Sequence, residues 1–198
     1  MWNQLMITVG REFGSGGHEI ANNLAQRFQL PVYEENMLKE IAEKMGADAG
    51  VLKNYDELPR KYFFTRTVKG FNNAPEESIA RMQFRFLEEQ AAAGNSFVAV
   101  GRCAEEVLAS HPNLITIFVL SDTEFKKKRT MEHGNISAQE ALTLMSRRDM
   151  QRKIYHNQYC KGKWGDSRNY DITVNSARLG ISGTVDLLEK YIRMRMEQ

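Results

Sequence analysis

The sequence predicts an α/β protein, a three-layer α/β/α sandwich built on a five-stranded parallel sheet. Short apolar runs recur along the chain, LMITV at 5–9, VY at 32–33, FVAV at 97–100, LITIFVL at 114–120 and YDITV at 170–174. Each pair of runs is separated by at least one segment whose apolar residues repeat at helical spacing. Strands that alternate with helices pair in parallel and are covered on both faces, which is why such runs are nearly continuous in apolar character. The first run also leads straight into a glycine-rich loop and then a helix.

Taken in order, Leu5 to Val9 forms the first strand, and Gly10 is expected to end it. Gly10, Gly14, Gly16 and Gly17 let main-chain amides approach a ligand closely. From His18 the pattern is helical, with Ile20, Leu24 and Phe28 on one stripe. Pro31 breaks it, Val32-Tyr33 is a second strand, and Met37, Leu38, Ile41 and Met45 mark a helix that Gly46 stops. Residues 47–74 are irregular, with Tyr55, Tyr62, Phe63, Phe64 and Phe71 among Lys61, Arg66 and Lys69. They read as a substrate-covering insertion or as an aromatic satellite core.

Pro75 opens a helix to about Gln90 that buries Ile79, Met82, Phe86 and Leu87 and carries Arg81 and Arg85 on a neighbouring face. After the third and fourth strands, two capping boxes, Ser121-x-x-Glu124 and Ser137-x-x-Glu140, start helices. The first carries Lys126 to Arg129 and the second Arg147, Arg148, Arg152 and Lys153. A loop from about Asn157 to Asn169 leads to the fifth strand, and Ile181, Val185, Leu188 and Ile192 close the chain in a helix. The expected organisation is one domain, 1–198, with a helical insertion at about 35–92 and a lid-like segment at about 134–169.

Composition narrows the function classes. The chain has 198 residues, 42% apolar and 26% charged, with a net charge of +2, so anion binding must come from local clusters and neither nucleic acid nor a membrane surface is an expected partner. No apolar run approaches the roughly 18 residues of a membrane span. Cys103 and Cys160 form no C-x-x-C pair and suit a reducing compartment, so the cytoplasm is expected. A homo-oligomer is left open.

A loop between a buried strand and a helix gathers amide N–H groups and the positive end of a helix dipole around one point, which favours a phosphate there. Gly14, Ser15, Gly16, Gly17, His18 and Glu19 are the expected phosphate-binding residues, against the alternative of a tight turn without ligand. The match to G-x-x-x-x-G-K-[ST] is partial: Arg11 holds the first glycine position, Gly17 the lysine position and His18 the hydroxyl position. Glu34 lies about 20 residues beyond Gly14, as a ribose-binding acid of a dinucleotide site would, but the third fingerprint glycine would then be Glu19.

GREFGSGG at 10–17, Tyr33-Glu34 after the second strand, VGR at 100–102 after the third and RRD at 147–149 occur in an order that resembles the cytidylate kinase-like family of P-loop nucleoside monophosphate kinases. The segment KWGDSRNYDITVNS at 163–176 resembles its divergent branch. The resemblance implies an ATP-dependent phosphotransferase with Mg²⁺, a nucleoside monophosphate or similar small phosphorylated acceptor, and an arginine-bearing lid. It places Arg102 on the acceptor phosphate, where a planar guanidinium offers a bidentate fork. It makes Arg148 the first lid arginine, with Arg147 and Arg152 beside it. The catalytic candidates are therefore Arg11, Arg102, Arg148 and Arg152, and the acceptor candidates Glu34, Lys39, Arg81, Arg85 and Arg102.

Three departures go with the resemblance. The usual lysine is Gly17, the two aspartates of D-G-R-D are Val100 and Cys103, and Lys39 replaces an acceptor-site arginine. The second aspartate is the family's cytosine-reading position. A non-catalytic nucleotide-binding module is the competing reading. Elsewhere, His156 and Cys160 have metal-like spacing without a second pair and are expected in a solvated loop, Lys126 to Arg129 as a wet helix face, and Trp164 against the last strand.

Overall fold

A computed structural model describes residues 3–34, 36–45, 67–68, 71–72 and 75–198. The strands are β1 (Met6–Arg11), β2 (Val32–Tyr33), β3 (Thr67–Val68), β4 (Phe71–Asn72), β5 (Phe97–Val100), β6 (Leu114–Leu120) and β7 (Ile172–Asn175). The helices are α1 (Gly17–Phe28), α2 (Asn36–Met45), α3 (Pro75–Ala92), α4 (Ala104–Val107), α5 (Thr123–Gly134), α6 (Ala138–Tyr159) and α7 (Gly180–Met196). Five strands form a parallel sheet in the order β2-β5-β1-β6-β7, and β3 and β4 form a small antiparallel pair.

β1 is central because every one of its residues is buried, and alternation along it feeds two cores. Ile7 and Val9 pack with Leu24 of α1 and Leu188 of α7 on one face. Met6 packs with Met37, Leu87 and Phe97 against α2 and α3 on the other. The chain crosses to one side of β1 to make β2 and β5 and to the other to make β6 and β7. The crevice at the carboxyl end of β1 is therefore the topological switch point where ligands bind in such sheets.

Several boundaries differ from the sequence reading. β1 does not end at Gly10; it continues in register with β6, Gly10 opposite Phe118 and Arg11 opposite Val119. Glycine fits there because a Cβ would meet the Phe118 ring at 2.7 Å. Ser121 is not a cap: α5 is preceded by Asp122, which makes no side-chain cap bond, and the Ser121 amide instead donates to Glu12. The Ser137–Glu140 capping box does form. α6 runs on to Tyr159, two residues past the expected start of a loop, and the last strand begins at Ile172 rather than Tyr170. The expected aromatic insertion and the Gly46 stop lie largely outside the described residues.

Candidate active site

Gly14 and Gly16 turn the chain between β1 and α1 with φ of 78° and 81°, in the left-handed region. A Cβ at Gly14 would meet the Thr130 hydroxyl at 2.8 Å, and one at Gly16 would meet Ile181 at 2.2 Å. Gly16 is the N-cap of α1 and has no side chain with which to cap the first-turn amides. The loop is pinned from behind by the Ser176 hydroxyl, which donates to the Ser15 carbonyl at 2.6 Å.

The expected convergence of amides from residue 10 to residue 18 narrows to a smaller set. The Glu12 amide donates to Val119, the Ser15 amide to Glu12, and the Gly17 amide to Ser15 Oγ. The Phe13 amide donates to Asp149 Oδ1 at 2.6 Å. The amides of Gly14, Gly16 and His18 are not hydrogen-bonded to any described residue. A cavity of about 680 Å³ opens over this loop, within the size range of nucleotide-sized ligand sites.

Arg11 explains why the lysine position holds glycine. A Cβ at Gly17 would stand 2.5 Å from Arg11 Cβ, so the arginine stem already fills the space that a side chain at 17 would need. Arg11 is buried, lines the cavity and places Nη2 3.2 Å from Glu34 Oε1. Glu34 also accepts from His18 Nδ1. The two departures from the phosphate-loop pattern, arginine at 11 and glycine at 17, are sterically one substitution.

On the far side of Arg11 lies a second, small cavity of about 20 Å³ bordered by Arg102, Glu105, His156 and Trp164. Arg11 and Arg152 line both cavities. Arg152 donates to the Arg11 carbonyl at 3.4 Å and lies 5.7 Å over the Phe13 ring. Arg102 is buried in a turn where Gly101, Arg102 and Cys103 have φ of 70°, 59° and 54°. Two consecutive non-glycine residues in that region cost on the order of 1–3 kcal/mol each and persist where surrounding contacts fix them.

Four residues here were not singled out from the sequence as site groups: Glu12, Lys126, Arg129 and Asp149. Lys126 Nζ lies 2.8 Å from Glu12 and 3.7 Å from Asp149. Arg129 lies 2.9 Å from Glu19. The run at 126–129 is thus not a uniformly solvated face, because Lys126 and Thr130, one turn apart, pack on Gly14. Burial holds the Asp149 carboxyl above its ordinary value, more strongly than the Phe13 amide, Lys126 and Arg152 pull it down.

Other expected residues are not brought to the cavity. Arg147 and Arg148 are exposed on α6. Lys39 is exposed, 4.0 Å from Glu43, while Arg81 and Arg85 are exposed and each pairs at 2.9 Å within α3, with Glu77 and Glu89. His156 and Cys160 are not in a solvated loop; both are buried, in the last turn of α6 and at its C-cap. Trp164 packs edge-on against Phe118 of β6, ring centroids 5.5 Å apart.

Residues 6–178 match the cytidylate kinase-like family. The chain belongs to that family. A cytidylate kinase of Methanococcus vannielii is 22% identical over 192 residues, which covers 96% of this chain and all of that one. An uncharacterized protein from Eubacterium ventriosum, known as a crystal structure, is 37% identical with a TM-score of 0.77, covering 96% of this chain and 99% of that chain. Shikimate kinase from Bacteroides thetaiotaomicron shares the fold at 13% identity, with a TM-score of 0.56 over 96% of this chain and 98% of its own. In this cytidylate kinase-like chain the parallel sheet and the loop after β1 therefore belong to a kinase fold, and membership supports a phosphotransferase.

Proposed function

We propose that the chain is an ATP-dependent kinase that moves the terminal phosphate of ATP to a nucleoside monophosphate or a similar small phosphorylated acceptor. The single observation that carries this reading is that Arg11 and Arg152 border both the large cavity over the glycine loop and the small one beside Arg102. A phosphoryl group transferred within the large cavity would lie against the two arginines that separate it from Arg102. Phosphoryl transfer asks for little covalent help from protein; it needs in-line positioning and neutralisation of charge on the equatorial oxygens.

In this reading the amides of Gly14, Gly16 and His18, with Ser15, Gly17 and Glu19 around them, hold the ATP phosphates at the start of α1. Arg11 supplies the charge that a lysine at 17 supplies elsewhere, and Arg152 closes from α6. Arg102 grips the acceptor phosphate, with Glu34 beside it. Lys39, Arg81, Arg85 and Arg148 join from the insertion and the lid-like segment as the acceptor is covered. A magnesium ion held on the phosphate oxygens would spread the charge of the transferred group. The two thiols support a reducing, cytoplasmic location.

A transfer assay with labelled ATP against a panel of nucleoside monophosphates and other small phosphorylated compounds tests the reading. Arg11→Met and Arg152→Met should each lower kcat by roughly 100- to 1,000-fold, as loss of one transition-state donor does. Arg102→Met should raise the acceptor KM. ATP binding without product from any acceptor would replace the kinase by a nucleotide-binding module.

A further inference from the structure

Behind Arg102, two short segments far apart in the chain bring four ligand-type side chains into one buried cluster: Cys103 and Glu105 after β5, and His156 and Cys160 at the end of α6. Glu105 Oε1 and His156 Nε2 are 2.7 Å apart, with side chains only 7% and 6% exposed. One ligand atom each from Glu105, His156 and Cys160 lies within 4.8 Å of the others. Cys103 is buried beside Cys160 and lines the same small cavity as Glu105 and His156, with its sulfur outside that group of three.

We propose that Glu105, His156 and Cys160, with Cys103 drawn in from beside them, form a structural zinc site that clamps the Arg102 turn to the end of α6. Two sulfurs, a ring nitrogen and a carboxylate oxygen are the borderline-soft set that zinc takes in closed four-coordinate sites. Magnesium and calcium, which take oxygen ligands, do not fit it. The paired spacing Cys103-x-Glu105 and His156-x-x-x-Cys160 gives two ligands from each of two elements. Two thiolates and a carboxylate around a dication leave one negative charge, and Arg102 borders the same small cavity. An ion pair alone accounts for Glu105 and His156; it gives no reason for both cysteines of the chain to stand against it. Binding through Cys103 would also hold the left-handed backbone at Arg102 and Cys103 and fix the spacing between Arg102 and Arg152, so zinc here acts on the site through position and takes no part in transfer.

The test uses the full chain, stripped with a chelator under reducing conditions and then titrated with zinc alone and with cobalt(II) as a spectroscopic probe. Expected are one tightly bound zinc per chain, a tetrahedral cobalt spectrum with thiolate-to-metal charge transfer, and an X-ray absorption spectrum of the zinc-loaded protein with two sulfur and two nitrogen or oxygen neighbours. Cys160→Ser and His156→Gln should each weaken zinc by more than the roughly 10- to 100-fold that loss of an outer partner costs. If a variant does not fold, the absorption spectrum of the unaltered protein decides. No stoichiometric uptake by the reduced chain, a shell of nitrogen and oxygen only, or undiminished affinity in folded variants overturns the site.

Discussion

At the scale of single residues, the departure at the lysine position is explained by a neighbour across the loop: Arg11 packs against Gly17, and a Cβ there would come within 2.5 Å of its stem. Gly17→Ala should therefore destabilise the fold by about 1–3 kcal/mol, the usual cost of overpacking, read as a lowered midpoint in urea unfolding. Gly17→Lys alone should not improve transfer. Combined with Arg11→Gly it should recover part of the rate that Arg11→Gly loses, because the space and the charge are then exchanged together; equal rates in the single and double variants would refute this. Arg11, Gly14 and Gly16 were legible because a glycine loop after a buried strand is a local pattern. Glu12, Lys126 and Asp149 were not, since Glu12 meets Lys126 across 114 positions and the Phe13 amide meets Asp149 across 136, and no local spacing records such contacts.

At the scale of elements, the two serines read as caps separate cleanly. Ser137 accepts from the Glu140 amide and Glu140 reaches back, whereas Ser121 is buried with its hydroxyl unbonded among the described residues. Ser137→Ala should cost about 1 kcal/mol and Ser121→Ala close to nothing in the same unfolding experiment. The motif S-x-x-E was equally good in both places; only the path of β6 into α5 decided which one capped. α6 likewise buries Tyr155, His156 and Cys160, which a weakly patterned sequence did not announce. Asp149, also on α6, gives a pH signature. Its folded value is raised above the ordinary 3.8, chiefly by burial, so its ionisation costs the fold nothing below that value and increasingly more as pH rises past it toward the folded value. Asp149→Asn should gain stability relative to the parent as pH rises from about 3 to about 7; an unchanged difference across that range would contradict the assignment.

At the scale of the whole molecule, five parallel strands, though not their order β2-β5-β1-β6-β7, follow from apolar runs too short and too continuous to be surface helices, alternating with amphipathic ones. That much was legible, because burial on both faces leaves a mark in composition. The closeness of Arg102 to the end of α6 was not, because it joins the turn after β5 to residues more than 50 positions away. Saturating ATP should raise the thermal midpoint, since a ligand at about 100 times its Kd adds about 2.7 kcal/mol to a folded state, worth roughly 5–10 °C in a chain of this size. Arg11→Met should shrink that rise, whereas Arg85→Ala, exposed and paired with Glu89, should leave it unchanged.

The cations of the site come with their counterions built in: Arg11 with Glu34, Lys126 with Glu12, Arg129 with Glu19 and Arg152 with Asp149, each within 4.0 Å. An arriving polyphosphate thus exchanges one anion for another instead of meeting bare positive charge. Long-range attraction should contribute little to its capture, so the association rate should vary only weakly with ionic strength, and selectivity should rest on which anion displaces the resident carboxylates best.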